Sequence, residues 1–296
     1  MVNRCPNSGE LLHSRMFSRS ACKKGVPMRY DFRLPLAIMV LWFATVPLSK
    51  GQQVTADAEL ALGIQAYKQA KYEEAIVHFK QAVALDPSSV TPQLYLATAF
   101  AQQYVPGVDV ADNNQMARQA IHEFEKVLTL HPTHDQEVIS LKGVASLYFN
   151  MKEFDTAKEY HKNVVKIDPN DPETYYAVGV IDWTQVYQPR VEQRAKLKLK
   201  PDEPLINADA CWSIRAANEA SVKEGMEMLT KALSIRSGYD DAMAYMNLMY
   251  RERADIQCGN RQAYDADIKT ADQWVDLTIA TKKGKMEASP AKNHQE

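Results

Sequence analysis

The chain is poor in glycine, with 11 in 296 residues, and the turns and bulges of a many-stranded fold need more. Cysteine is scarcer still. The four, Cys5, Cys22, Cys211 and Cys258, include no closely spaced pair of the kind that holds a metal. Catalytic signatures are also missing: there is no His-Glu-x-x-His, no Gly-x-Ser-x-Gly, no phosphate-cradling glycine loop and no dinucleotide fingerprint. His131 and His134 flank a Pro-Thr loop beside Asp135, but with no accompanying ligand motif they describe a polar connector rather than a metal site. No catalytic residue, cofactor or metal is therefore expected. Nor does any apolar stretch reach the roughly 20 residues that cross a bilayer comfortably.

Charge is unevenly placed. Residues 1–51 hold Arg4, Arg15, Arg19, Lys23, Lys24, Arg29, Arg33 and Lys50 against Glu10 and Asp31, which leaves 27 basic and 35 acidic residues beyond them, a net charge of −8. An acidic body is poorly suited to phosphate neutralisation, so no nucleic-acid partner is expected.

Within the basic head, Leu34 to Leu48 is apolar, with Arg29 and Arg33 before it and small residues at Ser49 and Gly51 after it. A positive flank, a short apolar segment and small residues make a signal peptide over 28–51, cleaved near Gly51. The alternative is an uncleaved membrane anchor, in which case membrane contact runs through this segment alone. Residues 1–27 lack a helical period and read as a disordered or over-extended start. The chain is thus expected to be exported, to the periplasm or beyond, or held at the inner membrane by residues 34–48.

Beyond Val54 the sequence repeats itself. Leu62-Gly63, Tyr72, Ala75, Phe79, Ala82 and Asp86-Pro87 describe two helices in close contact, small residues admitting large ones, with a proline ending the second helix. The order recurs as Leu96-Ala97, Phe100, Ala120, Phe124, Val127 and Pro132, then as Val144-Ala145, Tyr148, Ala157, His161, Val164 and Pro169. Ala97 and Ala120 stand 23 positions apart where Gly63 and Ala75 stand 12 apart, so 11 residues are inserted around Pro106-Gly107. Gly179 and Gly225 stand 46 apart, an insertion of 34. That stretch contains Trp183, Tyr187, a basic run from Arg190 to Lys200, and the breaker Lys200-Pro201-Asp202-Glu203-Pro204, after which a helix restarts near Ala208. Tyr187 reads as core and the basic run as a solvated face, with Val191, Ala195, Leu197 and Leu199 covering the neighbouring repeat. A last helix over 262–281 presents Ile268, Ala271, Val275 and Ile279 on one face. Cys211 and Cys258 lie in adjacent decorated repeats, where a disulfide is geometrically open to them and equally open to be absent.

These residues, in this order and spacing, resemble the tetratricopeptide repeat; the long insertion is similar to that in exported tetratricopeptide proteins of Acidobacteria-type soil bacteria. The resemblance implies an all-α fold, a right-handed α-solenoid of helical hairpins with two insertions and a C-terminal capping helix. Over 54–282 the hairpins fall at about 56–89, 90–134, 138–171, 172–239 and 240–282, and 283–296 reads as a disordered tail.

The resemblance also implies where a partner sits, because in the family the first helix of each repeat lines a groove. Its inward positions here are Leu60, Ile64, Tyr67, Lys68, Lys142, Phe149, Asn150, Tyr176, Trp183 and Arg251. Leu60 and Ile64 stand where carboxylate-clamping members carry lysine and asparagine, so the expected partner is an apolar peptide or protein surface anchored on rings. Against this stands the possibility that the 34-residue insertion covers Trp183 and Phe149. Two functions follow: a non-catalytic scaffold for a protein or peptide in the bacterial envelope, or a periplasmic accessory or small-ligand module using residues 182–216 as a lid.

Expression of the chain from Met28 in a bacterial host is expected to yield a periplasmic product beginning near Gln52; an intact mass retaining Met28 in the membrane pellet would show an anchor instead.

Overall fold

A computed structural model describes residues 55–200 and 203–288; the head, with its predicted signal or anchor, lies outside them. Ten helices follow one another and no strand occurs among the described residues. They are α1 (Ala56–Lys68), α2 (Tyr72–Leu85), α3 (Val90–Gln103), α4 (Ala111–Thr129), α5 (His134–Asn150), α6 (Phe154–Ile167), α7 (Pro172–Lys196), α8 (Ala208–Ile235), α9 (Asp240–Asp255) and α10 (Arg261–Ala288). Consecutive helices pair as five hairpins, and neighbouring hairpins pack on one another in an α-solenoid. None of the described helices is long and apolar enough to cross a membrane.

The helix ends follow from local chemistry. In hairpins one and three the first helix closes through a residue in the left-handed region, Ala70 at φ 57° and Lys152 at φ 64°. The Lys71 amide then donates to the Ala66 carbonyl at 3.0 Å, and the Glu153 amide to the Tyr148 carbonyl at 2.9 Å. These bonds satisfy carbonyls that the helix itself leaves open. Second helices stop at Asp-Pro: Asp86 and Asp168 fold back to accept from the amides of Ser88 and Asn170 at 3.1 and 3.3 Å, and the proline cannot extend the helix before it. The N-terminus of α5 carries a full capping box between Thr133 and Gln136. This cap starts the third hairpin at His134, four residues ahead of the predicted 138, because a polar first turn hides the start from an apolar pattern.

Close approach within each hairpin comes from side chains seated against glycine. A Cβ on Gly63 would lie 2.4 Å from the Phe79 ring, and one on Gly179 would lie 2.6 Å from Leu229. Gly143 takes the ring of Phe124 from the preceding hairpin in the same way. Ala75, Ala82, Ala97, Ala120, Ala145, Ala157 and Ala232 are all fully buried, which is where the repeat pattern puts its small residues.

The 34 inserted residues lengthen the fourth hairpin instead of forming a separate element. Its helices, α7 and α8, run to 25 and 28 residues, against 13 and 14 in the first hairpin. Helix α7 continues through Tyr187-Gln188-Pro189-Arg190 and ends at Lys196, shortly before the breaker read at 200–204. Pro189 removes an amide from the helix ladder. Near it, Asn218 of α8 donates to the Val186 carbonyl at 2.9 Å. The shorter insertion forms a connector at 104–110 and lengthens α4 to 19 residues. Asn113 holds that connector by accepting from the Val105 amide and donating to the carbonyls of Val105 and Val108 at 2.7 to 2.9 Å.

Three further expectations need correction. Helix α10 is the second helix of the fifth hairpin and continues to Ala288, into the tail predicted to be disordered from 283. Its buried residues are Asp267, Ala271 and Thr278, while Ile279 is 61% exposed, because hydrogen-bonded polar groups share the packed face with Ala271. Asp267, for instance, takes the Arg253 guanidinium and the Gln257 amide. Tyr187 is 40% exposed and is not core.

Gly63→Ala is expected to destabilise the chain by about 1 to 3 kcal/mol in urea melts, since the new Cβ overlaps a packed ring. Gly238→Ala, with nothing within 4 Å of its new Cβ, should leave the melt unchanged.

Candidate functional site

The first helices α1, α3, α5, α7 and α9 share one face of the solenoid, and the predicted groove residues lie on four of them. Leu60, Ile64 and Tyr67 on α1 are half-buried against the first core cluster, and Tyr67 meets Tyr72 and Tyr95 edge-on. Lys68 is exposed beside them. Two of the predicted cations are engaged within the chain: Lys142 pairs with Asp171 at 2.5 Å, and Arg251 with Asp272 at 2.7 Å. Asn150 borders a separate polar recess with Tyr104, Arg118 and Lys152.

Phe149 and Tyr176, one from each of two hairpins, come together. They border an open cavity of about 270 Å³ between α5 and α7, with Ser146, Ala177, Val180, Ile181 and the His161 ring from α6 completing its lining. The repeat pattern flags only the two rings. Val180 lies one turn beyond Tyr176 on the same helix face, and Ala177 lies one turn before Val180 and Ile181, so a helical-face reading of α7 finds them. Nothing in the sequence brings His161 to this face.

From Tyr176 an aromatic row continues across α7 and α9. Tyr176 meets Tyr239 and Tyr245 at ring separations of 5.0 and 5.5 Å, Tyr245 meets Trp183 edge-on at 5.4 Å, and Trp183 lies 4.8 Å from Tyr187. Burial pushes the Tyr176 hydroxyl up to about 12, with Tyr245 and Asp241 adding to the effect. Trp183 is thus half-covered from two sides, by Tyr245 of the fifth hairpin and by Tyr187 of the inserted segment. Tyr239 and Tyr245 are the row members that the repeat pattern misses.

Behind this face the long hairpin is held by buried charge. Arg190 donates to Asp255 at 2.7 Å and to Glu252 at 3.3 Å, and Arg194 donates to both oxygens of Asp255 at 2.8 and 3.0 Å. Arg194 also donates to the carbonyls of Lys200 and Glu203, which fixes the connector after α7. The expected solvated basic face therefore holds for Lys196, Lys198 and Lys200, which are exposed, and fails for Arg190 and Arg194. Two carboxylates on α9, a helix distant in sequence, draw both guanidiniums inward. A second network joins α6 to the hairpin: Lys158 bonds Asp182 at 2.6 Å and Glu224 at 2.7 Å. The Cys211–Cys258 disulfide, with Cα atoms 5.4 Å apart, closes the possibility that the sequence leaves open.

Burial also shifts Glu252, Asp182 and His161. Glu252 is pushed up to about 7 against the pull of Arg190, and Asp182 up to about 6 against that of Lys158. His161 is pushed down to about 4, with Lys142 adding to the effect of burial, and is therefore neutral near pH 7. No group of three or more metal-ligating side chains occurs among the described residues.

Comparison with known proteins follows this geometry. A family profile described as TPR repeat matches residues 64–103, and one described as Tetratricopeptide repeat matches residues 143–171. A search of the curated proteins found no match. Among solved structures, a crystal structure of MamA protein is 14% identical, covers 80% of this chain and 96% of its own, and superposes with a TM-score of 0.52. A MamA segment, 41-end, from Desulfovibrio magneticus RS-1 is 16% identical, covers 77% and 96%, and gives 0.51.

The raised carboxylates have a testable sign. Between its ordinary 4.5 and about 7, Glu252 holds a proton in the folded chain that the unfolded chain has released, so its contribution to stability declines as pH rises through that window. Asp182 acts in the same direction between 3.8 and about 6. His161 acts oppositely: its contribution is present above 6.5 and is lost as pH falls toward 4. Glu252→Gln should gain on the wild type by on the order of 1 to 3 kcal/mol between pH 4.5 and 7.5; a difference that does not change with pH would contradict this. Both repeat matches fall on these helical hairpins, so residues 64–103 and 143–171 carry tetratricopeptide repeats within the α-solenoid.

Proposed function

We propose that the chain is a non-catalytic scaffold that binds a protein or peptide partner across the face shared by its first helices, and that it works in the bacterial cell envelope. The observation that carries the reading is the cavity between α5 and α7. It is open, mostly apolar, and bordered by Phe149 and Tyr176 from two adjacent hairpins. An exposed recess with aromatic walls receives a side chain well and has no pair of groups set for proton transfer or nucleophilic attack. Export rests on the sequence alone, through the basic and apolar pattern of residues 28–51.

The reading of residues 182–216 as a lid loses support. Those residues lie in α7, its connector and the start of α8, held by Arg194 and the Cys211–Cys258 disulfide, and a lid must open and close.

A photo-crosslinking residue, p-benzoylphenylalanine, placed at Ser146 beside the cavity is expected to capture a discrete partner in cells of the source organism. The same residue at Val77, 53% exposed on the second helix of hairpin one, should not. Equal capture at both positions, or none at Ser146, would overturn the reading.

A further inference from the structure

Position 161 is chemically out of place. The equivalent positions in hairpins one, two and four carry Phe79, Phe124 and Leu229, all buried apolar side chains. Hairpin three carries His161, only 8% exposed, whose Nδ1 is buried without a hydrogen-bond partner. An apolar residue fills this position adequately three times in the same chain. A buried polar group without a partner costs about 1 to 3 kcal/mol of desolvation, so histidine here is a net loss for packing alone. The imidazole also borders the cavity between α5 and α7, which the other hairpins' counterparts do not.

The residues lining that cavity differ in burial. Ser146 is exposed, Phe149, Tyr176, Ala177 and Val180 are half-buried, and His161 and Ile181 are buried. A side chain seated here meets the rings of Phe149 and Tyr176, aliphatic groups and the imidazole of His161. These surroundings match an aromatic ring that carries a hydrogen-bonding group. Phenylalanine and leucine offer nothing to the imidazole, and lysine brings a charge into a lining that holds no carboxylate. Tryptophan carries its N–H on the flank of its ring system and not at the tip.

We propose that this cavity is the pocket for a tyrosine side chain of the bound peptide, with Phe149 and Tyr176 flanking the ring and His161 hydrogen-bonded to the phenolic hydroxyl. A neutral imidazole has one N–H and one lone pair, so it can serve the hydroxyl as donor or acceptor. The proposal rests on the partner-binding reading above and adds to it the identity of one anchor residue.

The test uses the full chain and the peptide Ac-Ala-Ala-Tyr-Ala-Ala-NH2, with phenylalanine and leucine versions for comparison. Binding is followed by NMR at the His161 ring protons and the Ile181 methyls. The tyrosine peptide should shift both sets of signals saturably and bind about three- to ten-fold tighter than the phenylalanine peptide, as one buried hydrogen bond implies. His161→Phe, which restores the residue type of hairpins one and two, should fold normally and bind the two aromatic peptides equally. Ala177→Phe, which fills the cavity from its rim, should abolish binding of both. Equal affinity of the tyrosine and phenylalanine peptides for the wild type, or a tyrosine preference that survives His161→Phe, would overturn the proposal. Capture at Ser146 with no shift at His161 would leave the scaffold reading standing and remove the tyrosine pocket; absence of both would remove both.

Discussion

Everything in this chain depends on how closely two helices can approach inside one hairpin. Side chains of the second helix or of the preceding hairpin seat against Gly63, Gly143 and Gly179, and a single added carbon at any of them would overlap a neighbour. That contact sets the position of each first helix relative to its partner, and so the spacing of first helices along the shared face. Phe149 and Tyr176 border one cavity because hairpins three and four are each fixed in this way and then stacked. The binding surface is therefore a secondary product of packing: no residue in it has to fold for its own sake.

Much of this was legible in the sequence because the repeat is written in residue size. Gly63 with Phe79, and Gly179 with Leu229, announce their own contacts, and the Asp-Pro endings announce where the second helices stop. The insertions were legible as lengths but not as structures. The length of α7 is one example: the helix passes through Pro189, where the packing of a long hairpin outweighs one missing hydrogen bond. Arg190 and Arg194 read as a solvated face because their partners, Glu252 and Asp255, lie on another helix about 60 positions later, and charge patterning sees only nearby residues. Tyr187 failed for the reverse reason: it shares a helix face with Trp183 but lies beyond the reach of Tyr245. The cavity was half legible. Repeat positions single out Phe149 and Tyr176, while the contribution of His161 depends on the gap between α5 and α7, which only the stacked structure defines.

The fourth and fifth hairpins also differ in kind from the first three. Hairpins one to three are joined mainly by apolar contact, with a polar link from Tyr160 of the third to Glu125 of the second at 2.8 Å. In the last two, α7 and α9 share a four-member cluster of buried charge, and a disulfide ties α8 to the connector after α9. Such clusters are a weak source of stability, because desolvation offsets attraction. Their value lies in direction: a guanidinium bonded to both oxygens of Asp255 admits one orientation of α7 against α9.

The Cys211–Cys258 bond has a consequence for how the array comes apart. In a stacked repeat protein each hairpin is steadied by its neighbours, and end units can peel away while the middle stays ordered. Here one end is tied by a crosslink enclosing 47 positions of sequence, which lowers the entropy gained when that segment opens. Fraying is thereby biased toward the end that begins at Ala56. The array has a loose end and a fastened one, and the cavity between α5 and α7 lies where the two meet.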